Sequence, residues 1–326
     1  VRQTAAPTAV EATGMGIAGR AAAAVAVLAV VGMAAVPPLP PGVRVVSGPT
    51  VNRTQGTVTF YISAPAFQKD KGQWGGKLTI VLPAAAVPSA AAGKNTSSDP
   101  TGFASVKSVL VVLPVEAGPP QRYGSGGALA VGLNYHNTHG VAIVEPQFTT
   151  TPWYCDGTHP AGEQPVLQAS YLREVVLPLA QAYCGGTGCP VDLVGFSKSG
   201  WGALSLLLNN PETYRRVAVW DAPSMLSTAF CRWMVAQPKI CSNGSGCLWD
   251  MMSNIGDCDA WVTCAPHPLV PTAAPELKSP NRPRIFLSGQ HYFGNWPDNT
   301  AAYLDSPGSP FNHTVDLHAR LTAFNV

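Results

Sequence analysis

Charge is what this chain has least of: 20 Lys and Arg stand against 18 Asp and Glu, only 12% of 326 residues. A net charge of +2 leaves no basic stripe to track phosphates, which argues against nucleic acid as a partner. No glycine-rich loop ends in Lys-Ser or Lys-Thr, so a nucleotide site of that kind is missing. No Cys-x-x-Cys pair occurs, and the histidines near the cysteines lack ligand spacing, so no metal and no other cofactor is implied. Internal repeats are absent too. The longest apolar stretch, Ala21 to Val36, has 16 residues. A spanning helix needs about 20, so no stable membrane span is expected. What the chain does have is core material, 46% hydrophobic residues, enough for one large domain with an insertion.

Residues 1–50 differ from the rest. Met15 to Arg20 carries one positive charge, Ala21 to Val31 is apolar, and Gly32-Met33-Ala34 supplies small residues for cleavage. That is the layout of a secretory signal starting at Met15. Pro37 to Pro41 reads as an extended linker into a folded domain over 51–326. Eight cysteines, an even number, suit an oxidising compartment. Cys184 and Cys189 are expected to clamp the loop between them. Cys231, Cys241, Cys247, Cys258 and Cys264 crowd into one segment, where bridges between close neighbours are expected. Asn52, Asn95, Asn243 and Asn312 each head a glycosylation sequon. Together these features point to a glycoprotein that is secreted or in the secretory pathway.

From Val58 onward, strand and helix patterns alternate. Val58–Ile62, Lys77–Leu82, Val109–Leu113, Gly140–Val144, Arg216–Trp220 and Arg284–Ser288 read as strands, with Val109–Leu113 central and buried on both faces. Between Pro165 and Tyr183, Leu167, Tyr171, Val175, Leu179 and Tyr183 form one apolar stripe, an amphipathic helix that Pro178 is expected to kink or break. Val315, Leu317, Leu321 and Phe324 mark a last helix over Thr314–Phe324. Helices interleaved with buried strands predict an α/β domain, a mostly parallel sheet with helices on both faces. The stretch 224–283 holds five cysteines, Trp233, Trp249, Trp261 and many breakers. It reads as a disulfide-stapled insertion over the catalytic face, its aromatics either receiving an apolar acyl group or filling a small core of their own.

The chemistry concentrates in Val191-Asp192-Leu193-Val194-Gly195-Phe196-Ser197-Lys198-Ser199-Gly200-Trp201-Gly202. An apolar strand runs into a serine hedged by small residues and then into Ala203–Leu208, good helix formers that stop at Asn209-Asn210-Pro211. This is the pattern of a nucleophile elbow, which needs small residues two positions before and after the nucleophile. Gly195 and Ser199 meet that need for Ser197. Taking Ser199 as nucleophile would put Trp201 at the crowded position.

Gly195–Gly202, together with Trp220-Asp221-Ala222-Pro223 and Pro152-Trp153-Tyr154-Cys155-Asp156, resembles serine hydrolases of the α/β-hydrolase superfamily, in the branch of esterase D-like and prolyl-oligopeptidase-like enzymes. The resemblance covers Val58 to Val326. It implies an α/β-hydrolase fold and acyl transfer from a small-molecule or polymer ester: Ser197 attacks the carbonyl, a histidine moves the proton, and an acid orients the histidine. The oxyanion hole would be the backbone N–H of Lys198 and one from the loop Pro114–Gly118, assigned to Glu116. The side chain of Lys198 should point away from the serine, against a Ser-Lys dyad.

The acid is Asp221, at the end of the next strand, or Asp298, beyond Ser288-Gly289. The order serine, acid, histidine sets aside His136, His139 and His159 as surface or loop residues. His267 falls in the insertion, His291 at a strand end, and His313 and His318 in the last helix, so the base is expected beyond Val326. The activity implied is that of a secreted carboxylic ester hydrolase. A peptidase of the same fold and a non-catalytic glycoprotein that keeps the elbow as scaffold are the alternatives.

Overall fold

The computed structural model describes residues 36–68, 76–87, 105–118, 125–157, 166–224, 263–278, 284–289 and 310–326. Eight strands form one sheet: β1 (Arg44–Asn52), β2 (Thr57–Ser63), β3 (Lys77–Val81), β4 (Ser108–Val112), β5 (Val141–Pro146), β6 (Val191–Phe196), β7 (Arg216–Trp220) and β8 (Ile285–Ser288). Their order is β1-β2-β3-β5-β4-β6-β7-β8. The five from β5 to β8 run parallel, and β1, β2 and β3 extend them by antiparallel pairing. Inner parallel strands need apolar residues on both sides of the sheet. Val109, Val111, Ala142 and Val144 accordingly have no exposed surface. The strand missing from the sequence reading is β1. Gly48-Pro49 disguises it as a turn, and an edge strand facing solvent carries no apolar signature.

On one face lie α3 (Gln168–Tyr171), a π turn (Leu172–Val176), α4 (Leu177–Gln181), α5 (Lys198–Asn209), α6 (Pro266–Leu277) and α7 (Pro310–Ala323). Their apolar residues join the inner strands in the main core, which includes Tyr171, Val175, Leu204, Val217, Val270 and Leu317. The other face carries α1 (Gly126–Gly132) and α2 (Tyr135–His139), under which Val112, Ile143, Ala130 and Val194 form a smaller core.

The break expected at Pro178 takes the form of the π turn just before it. Proline lacks the N–H that would bond four residues back, and a widened turn absorbs the loss. Residues 266–277, inside the stretch expected as an insertion, form α6 packed against α5. Its prolines hide it from the sequence, although Pro266 and Pro268 fall in the first turn, where a missing N–H costs least. Val270, Ala273, Ala274 and Leu277 are its buried stripe. In α7, Leu317 and Leu321 are buried as expected, whereas Val315 faces solvent.

Cys184 and Cys189 are bridged, as expected. Cys264 is not paired with a close neighbour: it joins Cys155, 109 residues away. Proximity here is set by the fold, which lays the loop after β5 beside the start of α6. His136 is another correction. It is buried in α2 instead of standing at the surface, and burial lowers its pKa. Cys231, Cys241, Cys247, Cys258, His159, His291 and Asp298 lie outside the described residues, as does the side chain of His313. Among the described residues no helix is long and apolar enough to cross a membrane, and no group of three His, Cys, Asp or Glu could hold a metal ion.

Candidate active site

The strand β6 ends at Phe196 and α5 begins at Lys198, so a single residue makes the turn. That residue is Ser197, at φ 51° and ψ −122°. A side-chain-bearing residue in this region costs about 1–3 kcal/mol and persists only when its surroundings hold it there. They do. The Ser197 N–H donates to the Trp220 carbonyl at 3.0 Å, and its own carbonyl accepts from Trp201 N–H at 3.1 Å. Ser199 closes the turn from inside: its hydroxyl accepts from Phe196 N–H and donates to the Phe196 carbonyl, each at 2.9 Å. A Cβ on Gly195 would lie 2.3 Å from the Ser199 carbonyl oxygen. Glycine is therefore compulsory there, by contact with backbone. Ser199 is fully buried and occupied with this turn, whereas Ser197 is half-buried at its apex.

Lys198 opens α5, and its N–H belongs to the first turn, which lacks helical acceptors. Its side chain is buried, with Nζ over the ring of Trp153, 5.4 Å from the centroid. Trp153 in turn meets Trp201 edge to face at 5.5 Å. Glu116 sits in the loop after β4, partly exposed. That loop is fixed at both ends, by Leu113 N–H to the Val194 carbonyl at 3.0 Å and by Gly118 N–H to the Phe148 carbonyl at 3.2 Å. Asp221 is buried at the end of β7, with φ 52°. Ser197, Lys198, Glu116 and Asp221 thus come together at the C-terminal ends of parallel strands β6, β4 and β7, where open α/β sheets form their ligand crevice.

The described histidines stand elsewhere. His136 and His139 precede β5 and so lie at the opposite, N-terminal end of the parallel strands. His267, on α6, is lowered chiefly by burial, then by Arg320 of α7, with Asp316 opposing. His318 is exposed on α7.

Two residues gain prominence that no spacing rule marks. Gln168 is fully buried, and its side-chain carbonyl accepts from Trp153 N–H at 2.7 Å and Tyr154 N–H at 3.0 Å. Its amide donates to Thr150 and to the Thr151 carbonyl, both at 3.3 Å. Glu145, at the end of β5, accepts from the Ser125 hydroxyl, which also caps α1 through Ala128 N–H at 2.9 Å. Burial raises the Glu145 pKa against the opposing hydrogen bonds from Ser125 and Gly127.

No family model and no curated protein matches the chain. Solved structures do. MPT51 of Mycobacterium tuberculosis superposes with a TM-score of 0.50 at 14% identity, over 80% of this chain and 86% of that one. An S-formylglutathione hydrolase of Staphylococcus aureus gives 0.48 at 14% identity, over 83% and 86%, and a ferulic acid esterase 0.48 at 12%, over 83% and 85%. The strand order, the helices on both faces and the one-residue turn after β6 make this the α/β-hydrolase fold.

Proposed function

We propose that this chain, built on an α/β-hydrolase fold, is a serine hydrolase acting on carboxylic esters in an oxidising, secretory compartment. The reading is carried by Ser197, a non-glycine residue held at φ 51° in a one-residue turn at the C-terminal end of β6. A hydroxyl set there is lifted clear of the sheet towards an incoming acyl carbon. Ser197 Oγ bonds to the ester carbonyl carbon, and the carbonyl electron pair moves onto oxygen, received by the N–H groups of Lys198 and Glu116. A histidine from outside the described residues takes the serine proton, oriented by Asp221, and hands it to the departing alkoxide as the C–O bond breaks. Water then repeats the attack on the acyl-serine, releasing the carboxylic acid and restoring Ser197. The Cys155–Cys264 and Cys184–Cys189 bridges support the compartment.

A fluorophosphonate probe tests the nucleophile. The wild type is expected to be labelled, and Ser197→Ala to be unlabelled at an unchanged melting temperature. Labelling that persists in Ser197→Ala moves the nucleophile elsewhere. A folded wild type that never labels turns the reading towards a binding glycoprotein.

A further inference from the structure

One buried side chain touches both elements that carry the proposed oxyanion-hole donors. Tyr154, in the loop after β5, donates its hydroxyl to the carbonyl of Pro114, the first residue of the loop that leads to Glu116. Its ring packs closely against the elbow helix: a Cβ on Gly202 would fall 2.0 Å from Tyr154 Cδ2 and 2.6 Å from Cγ. Gly202 is one helical turn beyond Lys198. We infer that Tyr154 is a positioning residue that sets the spacing and orientation of the two oxyanion-hole N–H groups. This rests on the hydrolase reading.

The reasoning is geometric. The Pro114–Val115 peptide is trans, so its C=O and N–H point in opposite directions within one rigid plane. Holding the carbonyl oxygen fixes how the chain leaves Pro114 and hence where Val115 and Glu116 begin. Pro114 has no N–H to hold, so between the anchors at Leu113 and Gly118 its carbonyl is the group through which this residue is fixed.

Tyr154 is itself immobilised. It is buried, has φ 57°, meets Phe148 edge to face at 5.4 Å, and is tied through its N–H to Gln168. The next residue, Cys155, is bridged to Cys264. A rigid spacer between two donors is what pre-organised stabilisation of a developing oxyanion demands, since donors displaced by an ångström lose much of their effect. Gly202 belongs to the same device, because any larger residue would displace the ring.

The test uses p-nitrophenyl acetate and a boronic acid, which mimics the tetrahedral adduct on serine. Tyr154→Phe removes one atom and leaves the ring. Its kcat is expected to fall by about tenfold to a hundredfold with KM within about twofold, because the donors act on the transition state. Boronate affinity is expected to weaken in proportion to kcat, while near-UV circular dichroism stays native. If Tyr154→Phe fails to fold, p-fluorophenylalanine at position 154 fills the hydroxyl's volume without donating, and the same loss is expected. A folded variant with wild-type kcat overturns the inference, however much its melting temperature moves. So does a raised KM at unchanged kcat. A folded wild type that neither turns over the ester nor labels with fluorophosphonate overturns the hydrolase reading and this inference with it. Wild-type kcat in Tyr154→Phe overturns the inference alone.

Discussion

Ser197 and Asp221 leave their strands side by side. They follow Phe196 and Trp220, which are paired in the parallel ladder, and both bend into the left-handed region, at φ 51° and 52°. Each donates its N–H to the strand beyond, Ser197 to the Trp220 carbonyl at 3.0 Å and Asp221 to the Ser288 carbonyl at 2.8 Å. Two adjacent strained residues at one sheet end are unusual, because each costs stability that a plain loop would keep. Such strain gathers where a side chain must be aimed, and it supports Asp221 as the acid beside Ser197.

The tightness of the turn predicts a graded response. Gly195→Ala sets a methyl 2.3 Å from a backbone oxygen, whereas Gly200→Ala sets one 3.0 Å from the Ala222 methyl. Relieving a 2.3 Å contact takes a far larger shift than relieving one at 3.0 Å. Gly195→Ala is expected to cost at least about 1–3 kcal/mol in urea unfolding and to abolish fluorophosphonate labelling. Gly200→Ala is expected to lose less on both measures.

Arg284 binds the lower end of the sheet to its helices. Its guanidinium donates to four carbonyls: Arg215 at 2.8 Å, Glu276 at 3.1 Å, Pro211 at 2.6 Å, and Tyr214. A lysine ammonium keeps the charge but has three donors on one atom and cannot reach so spread a set. Arg284→Lys is therefore expected to lower stability by about 2 kcal/mol, read as a drop in melting temperature, with esterase kcat unchanged.

Glu145 gives a pH signature. Burial raises its folded pKa above the unfolded value, so its favourable contribution is complete below the ordinary carboxylate range and fades as pH rises through the folded pKa. Glu145→Gln removes the titration. The stability of wild type relative to this variant is expected to fall on going from pH 4 to neutrality, as measured by unfolding at a series of pH values. A flat difference would show that the carboxyl ionises in the fold as freely as in the unfolded chain.

At the other margin, β8 pairs only with β7 among the described residues, and Phe286 on it is 66% exposed. Unpaired strand edges with apolar side chains template association. Phe286→Lys is expected to reduce self-association in sedimentation velocity without altering fluorophosphonate labelling.

The elbow and the inner strands were legible because local chemistry decides them. Continuous β-branched runs have one stable home, and Gly195-Phe196-Ser197-Lys198-Ser199 fits only a turn too tight for larger residues. The partners of the site were not legible, since they come from far along the chain. Nothing around Gln168 announces that its amide anchors Trp153 and Tyr154, and Cys264 showed no sign of preferring Cys155 to nearer cysteines. Helix α6 was hidden for a different reason: tertiary burial of Val270, Ala273 and Leu277 outweighs the cost of its prolines.

The Cys155–Cys264 bridge turns the middle of the chain into a covalent ring. Inside it lie β6, Ser197, α5 and β7. A protease that cuts once anywhere between residues 156 and 263 opens the ring without parting the two pieces, which separate only after reduction. The nucleophile and the walls around it would thus stay tethered through a nick. In an environment rich in proteases, a clipped molecule need not be a lost one.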